Sequence, residues 1–202
     1  MGRRPWHCYR RWDYPAYQKK RSRSHRKEYV RGGAEPKIRF FDTGNLEKSL
    51  DSWDLSIGLK SKKQVQISNF ALEAIRASIN RRLQKYIGRQ NFHIRVRPHP
   101  HHIFRENKMM AFAGADRLQT GMRNSFGRCI GTLARVRANQ VIVEIFCDFK
   151  YKDQIIDALR IASYKLPCQT KMVVLRLNNK EYYGKIGLPM ESEKVISNIP
   201  AK

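Results

Sequence analysis

From Ser68 onward, apolar side chains return at steps of three and four: Leu72, Ile75, Ile79, Leu83 and Tyr86. That period marks one face of an amphipathic helix, which the sequence predicts from Ser68 to about Ile87. Ser68 supplies a side-chain oxygen to cap the start, and Gly88 can close the end. Arg76, Arg81, Arg82 and Lys85 fall off the stripe, on a face expected to be solvated or to touch phosphate. A second helix is predicted over about 151–165, with Ile155, Leu159, Ala162 and Leu166 as its inner side.

Elsewhere the period is two. "NFHIRVR" (91–97) places Phe92, Ile94 and Val96 on one face and His93, Arg95 and Arg97 on the other. "KIRFFD" (37–42) reads as the first strand, with Ile38 and Phe40 sharing a face. "HHIFR" (101–105) follows a corner at Pro98 and Pro100. "GTLARVR" (131–137) and "QVIVEIFC" (140–147) flank Ala138-Asn139, a predicted tight turn. "KMVVLRLN" (171–178) closes the series. Residues 43–67 carry no clear period and read as a loop with a short strand at its end, and the tail after Tyr183 has none either. The expected class is α+β, a two-layer sandwich of mainly antiparallel strands with two packed helices. A basic extension (1–36) would precede the globular domain (37–178), and a tail (179–202) would follow it.

Between two of the predicted strands runs a long connection, from about Glu106 to Ile130. Its centre is "AFAGADRLQTGMRNSFG" (111–127), with no helical or strand period. A structureless connection of this length is uncommon inside a compact domain and is usually functional or disordered. Gly114 and Gly121 open backbone shapes closed to other residues. Arg105, Lys108, Arg117, Arg123 and Arg128 make it positive along its length, and Met109, Met110, Phe112 and Phe126 add apolar surface. The expectation is a finger that inserts into RNA, mobile when free and fixed when docked.

Charge names the partner class. The chain's 202 residues carry 41 Lys+Arg against 17 Asp+Glu, a formal net charge of +24 and a pI of about 10.4. A domain repels itself at that charge unless a polyanion neutralises it, and nucleic acid is the first candidate. The first 36 residues interleave Arg3, Arg4, Arg10 and Arg11 with Trp6, Tyr9, Trp12, Tyr14 and Tyr17. Guanidinium groups pair with phosphates while flat rings stack on bases. A membrane partner is disfavoured: no run approaches the roughly 20 apolar residues that span a bilayer. Trp6 also stands where a myristoylation signal needs Ser or Thr. No secretory leader is recognisable, and the cytoplasm is the expected compartment.

Catalytic chemistry is hard to find. His93, His99, His101 and His102 are the most tempting cluster, yet a metal site needs ligands converging from defined spacings, and no H-E-x-x-H occurs. Pro167-Cys168 is followed by Gln169, Thr170 and Lys171 where a zinc deaminase needs a second cysteine. Cys8, Cys129, Cys147 and Cys168 form no C-x-x-C pair and read as small apolar side chains. No Gly-rich phosphate loop occurs. Asp116 stands alone beside Arg117, and nothing nominates a nucleophile–base pair. The expectation is a binding protein without catalysis, metal or cofactor. An RNA-modifying or metal-dependent enzyme using the four histidines is the alternative, and a free-standing RNA chaperone a third.

Particular strings narrow the reading. "GRRPWHCYR" near the start, "KIRFFDTG", "FHIRVRPHP", "NKM" and above all "AGADRLQTGMR" with the following "FG" and "GTLARV" are similar to a known family. It is the large-subunit ribosomal protein family called ten-e in archaea and eukaryotes, the counterpart of bacterial ribosomal protein sixteen. The resemblance runs from residue 2 to about 178. Pro98, His101 and Glu106 depart from its pattern, as does the segment after 178. It implies an α+β protein on large-subunit ribosomal RNA, in the cleft between central protuberance and stalk base, beside the transfer-RNA path. It also implies that a loop at about 102–113 reaches toward the peptidyl-transferase centre. Arg105, Glu106, Asn107, Lys108, Met109 and Met110 would then lie near the P-site transfer RNA. Ribosomal RNA would be held by Arg3, Arg4, Arg10, Arg11, Arg39, Arg95, Arg97, Arg117, Arg123 and Arg128. Neighbouring ribosomal proteins and the assembly and export factors of late subunit maturation are the implied further partners.

Overall fold

The computed structural model describes residues 34–106, 128–178, 182 and 185–190. The 1–33 part of the predicted extension, the centre of the long connection at 107–127 and most of the tail lie outside the described residues.

The predicted first helix forms as α1, Asn69–Tyr86. Ser68 caps it, its hydroxyl accepting from the Ala71 N–H at 3.3 Å. Leu72, Ile75, Ile79 and Leu83 are fully buried along the predicted stripe. Each such side chain contributes about 1.5–3 kcal/mol of hydrophobic stabilisation. Tyr86 does not belong to the stripe. Ile87, four residues after Leu83, takes the inner place, and Tyr86 turns outward with Arg82 and Lys85 over its ring. The second helix, α2 at Lys152–Ser163, buries Ile155, Ala158, Leu159 and Ala162, and packs on α1 through that side. Leu166, beyond its end, is partly buried against the same core.

Among the described residues, eight strands build two antiparallel sheets. In chain order they are β1 Asp42–Gly44, β2 Leu55–Ser61, β3 Val65–Ser68, β4 Phe92–Val96, β5 His102–Glu106, β6 Arg128–Val136, β7 Val141–Cys147 and β8 Thr170–Leu177. The larger sheet runs β1-β4-β7-β2-β8 and the smaller β3-β6-β5. Side chains of both sheets and both helices join one core. The α+β architecture is therefore as expected, but two of its details correct the sequence reading.

The first correction concerns "KIRFFD". Strand pairing begins at Asp42, opposite Arg95, preceded by a backbone hydrogen bond from the Val96 N–H to the Phe41 carbonyl at 2.8 Å; β1 is a three-residue edge whose neighbour among the described residues is β4. Ile38 is buried and Phe40 exposed, so they do not share a face. The second concerns residues 43–67, which hold β2, a strand inside the large sheet and buried along its whole length. Leu55, Ile57 and Leu59 alternate there with Ser56, Gly58 and Lys60, and this polar side is buried too. Gly58 leaves room for a neighbour: a Cβ would lie 2.5 Å from Leu175 Cδ1 of β8, so a side chain there would require Leu175 to shift.

The corner and the turn do topological work. The Pro98/Pro100 corner carries the chain from β4 in the large sheet to β5 in the small one. Ala138-Asn139 does turn, with Asn139 at φ 63° and the Gln140 N–H reaching the Arg137 carbonyl. The strands that it joins, β6 and β7, belong to different sheets. At the other edge, Val174 of β8 forms a parallel bridge with Met190, and Ile186 is buried.

Candidate nucleic-acid interface

Strand β4 presents His93 and Arg95 on the side opposite its core residues, as the alternation requires, and Arg97, the residue that follows it, continues the series. They do not form a bare cationic row. Arg95 Nε donates to Asp42 Oδ1 at 2.8 Å, because β1 pairs Asp42 opposite Arg95. Arg97 Nε donates to Glu144 Oε2 at 2.7 Å, from the neighbouring strand β7. Glu144 is 3% exposed and its other oxygen accepts from the Ser56 hydroxyl at 2.6 Å. Both guanidinium groups stay open to solvent on their remaining donors, with side chains 38% and 49% exposed. A guanidinium has five N–H donors, so one carboxylate orients it and leaves donors for a phosphate. Formally, two arginines and two carboxylates cancel across this face.

The Asp42 carboxyl shows the balance of forces. Burial alone would raise it, but the Arg95 hydrogen bond and charge, with those of His93, hold it below its ordinary value. A depressed carboxylate contributes stability above its unfolded pKa and loses it as the pH falls through the folded value. Asp42→Asn is therefore expected to flatten the loss of stability below about pH 4. Unfolding followed from pH 7 to pH 2 checks this, and an unchanged acid slope would show that the pair contributes nothing.

The four histidines divide among three surroundings. His93 is 4% exposed; its Nδ1 donates to the Asn45 carbonyl at 2.8 Å and its Nε2 lies 3.2 Å from Asp42 Oδ1. His102 is buried, with Nδ1 3.2 Å from Gln66 Oε1. His99 and His101 are exposed and near-parallel at 6.1 Å, and His99 also meets Phe41 at 4.0 Å. Pro98 and Pro100 restrict this segment, so the two rings are held ready to stack. Among the described residues no three metal-ligating side chains gather. The described cysteines are free; burial pushes the Cys147 and Cys168 thiols up, away from thiolate chemistry.

The remaining predicted residues fare unevenly. Arg39 is exposed and pairs with Glu35. Arg105 and Glu106 are the last residues of β5, opposite Cys129 and Arg128 of β6, so the first part of the predicted 102–113 loop is strand. Arg3, Arg4, Arg10, Arg11, Asn107, Lys108, Met109, Met110, Arg117 and Arg123 lie outside the described residues. On the α1 face, Arg76 is held by Glu73 at 2.6 Å and Arg82 approaches Asp157 at 3.8 Å, while Arg81 and Lys85 are exposed. The carboxylates that organise β4 were missed by the sequence reading. A lone Glu144 within the apolar run "QVIVEIFC" was the available signal, since a buried acid needs a partner.

Comparison with known proteins agrees with the sequence resemblance. Residues 16–173 match the family described as Ribosomal protein L16p/L10e. The chain is 46% identical over 174 residues to the large ribosomal subunit protein uL16 of Drosophila melanogaster, covering 86% of this chain and 77% of that protein. It is 43% identical over 191 residues to uL16 of Dictyostelium discoideum, covering 92% and 85%. It is 42% identical over 176 residues to uL16 of Pinus taeda, covering 87% and 74%.

Proposed function

The chain belongs to the L16p/L10e family of ribosomal proteins, and on that premise we propose that it is a structural, non-catalytic part of the large ribosomal subunit in the cytoplasm. It binds large-subunit ribosomal RNA beside the transfer-RNA path. The segment Arg105–Met110 approaches the P-site transfer RNA, and docking of the protein accompanies late subunit maturation. The observation that carries this reading is the family match over 16–173 in a chain of net charge +24. A polyanion must offset that charge, and the RNA of the subunit is the polyanion that the family membership supplies.

Phosphate contact and ring stacking divide the labour. Arg95 and Arg97, already oriented by Asp42 and Glu144, give their free donors to phosphate. His99 and His101 offer flat surface to unpaired bases. The gradient experiment is direct: in a sucrose gradient at moderate salt the chain should co-migrate with large subunits. Recovery of most of it at the top of the gradient would favour a free RNA chaperone. Residue by residue, Arg95→Gln should lower the slope of log affinity for ribosomal RNA against log salt by about one unit. An unchanged slope would mean that Arg95 meets no phosphate.

A further inference from the structure

The arginines of β4 are matched by carboxylates, so the chain's excess of positive charge must reside elsewhere. Three segments meet at one end of the large sheet: the turn after β2, the turn from β6 to β7, and the entry to β8. Ser61, fully buried, ties them together. Its N–H donates to the Gln140 carbonyl at 3.1 Å and its carbonyl accepts from the Asn139 N–H at 2.8 Å. Its hydroxyl donates to the Lys63 carbonyl at 2.6 Å and lies 3.6 Å from Cys168 Sγ. The Lys62 N–H donates to the Gln169 carbonyl at 3.0 Å, and Lys171 stands opposite Lys60 in the β2–β8 ladder.

Around this buried hub the exposed side chains include Lys62, Lys63, Arg137 and Lys171. Among the described residues none of these four pairs with a carboxylate. Nor could a short-range one be supplied locally: residues 55–72, 128–143 and 158–178 contain no Asp or Glu. Like charges gathered this way repel within a screening length of about 10 Å at 0.1 M salt. The repulsion is built in, because the hub fixes all three segments and the cations cannot disperse.

We propose that this end of the sheet is a second RNA-binding site, which takes the phosphate backbone of large-subunit ribosomal RNA independently of the β4 face. The inference rests on the ribosomal reading above. Phosphate is favoured over other anionic partners by what the site lacks. Among the described residues the exposed large apolar side chains are Phe40, Leu46, Tyr86 and Tyr164; the first three lie outside the three segments, and Tyr164, a single ring at the end of α2, stands six residues before Thr170, where β8 begins. A protein partner needs an apolar or aromatic anchor at its centre, and a membrane surface needs an inserted apolar face. A row of bare cations suits a backbone of regularly spaced charges.

The test uses the full chain and purified large-subunit ribosomal RNA, with affinity measured across a salt series. The variant K62Q/K63Q/R137Q/K171Q should lose about three to four units of salt slope. A control removing as many exposed cations from another surface, R81Q/K85Q/R89Q/K150Q, should lose less. The charge-preserving K62R/K63R/R137K/K171R should bind as the parent does. Should the fourfold glutamine variant not fold, K63Q and K171Q singly should each lose about one unit. Equal losses in variant and control overturn the proposal, because net charge alone would then explain binding. An unchanged slope overturns it too, as does a loss confined to phosphatidylserine vesicles. Failure of the parent chain to bind ribosomal RNA at all would instead defeat the ribosomal reading, and this proposal with it.

Discussion

Replacing Gly44 by alanine is expected to cost about 3 kcal/mol and to lower the melting temperature by roughly 6–12 °C. Two effects add. Gly44 sits at φ +112°, a region that side-chain-bearing residues rarely enter, and a Cβ there would lie 2.3 Å from the Phe92 carbonyl oxygen. That oxygen is backbone, so relief requires β1 to move away from β4. The movement would carry Asp42 away from Arg95 and His93, and Asn45, whose N–H bonds the same Phe92 carbonyl, away from the sheet. Gly88→Ala is the matched control: φ is +84°, yet nothing lies within 4 Å of the added atom. Backbone strain alone should cost about 1 kcal/mol there. Thermal unfolding of the two variants separates the terms, and equal losses would show that the contact with Phe92 is harmless.

Arg97→Ala is expected to cost about 2 kcal/mol, more than Glu144→Gln at about 1 kcal/mol. Removing the arginine leaves Glu144, almost wholly buried, with only the Ser56 hydroxyl as a described partner. Removing the charge of Glu144 leaves a half-exposed guanidinium that water can solvate. The double variant R97A/E144Q should therefore cost clearly less than the sum of the singles, because no carboxylate is then stranded. A denaturant cycle over the four proteins checks this; strict additivity would show that the pair is not coupled. The E144Q background also isolates the functional role of Arg97. Any further change in RNA salt slope on adding R97A then reports a lost phosphate contact and not a disturbed sheet.

Much of the fold was legible because its signals are local. The stripe Leu72, Ile75, Ile79 and Leu83 needs only the pitch of a helix to align, and Ser68 caps it from the preceding residue. Strand β4 was legible for the same reason, its apolar residues alternating over a few positions. Strand β2 was not legible, because Ser56, Gly58 and Lys60 read as surface. They are buried by their place between β7 and β8, which no local period encodes. "KIRFFD" failed in the opposite direction: despite its strand-like composition it meets β4 at its end, where the Phe41 carbonyl accepts from the Val96 N–H and Asp42 pairs with Arg95.

The candidate site divides in the same way. The family block at 113–136 and the net charge are readable from letters alone, and they suffice for ribosomal membership and an RNA partner. Charge summed over a chain, however, says nothing of where it is cancelled. Asp42 and Glu144 neutralise Arg95 and Arg97 across 53 and 47 positions of sequence. Lys62, Lys63, Arg137 and Lys171 come together because Ser61, in the turn after β2, bonds the β6–β7 turn and lies against Cys168 at the entry to β8. Composition and periodicity are sums and short-range correlations, which the chain carries even unfolded. Electrostatic compensation depends on distances of a few ångströms between remote residues, and only the folded sheets set those distances.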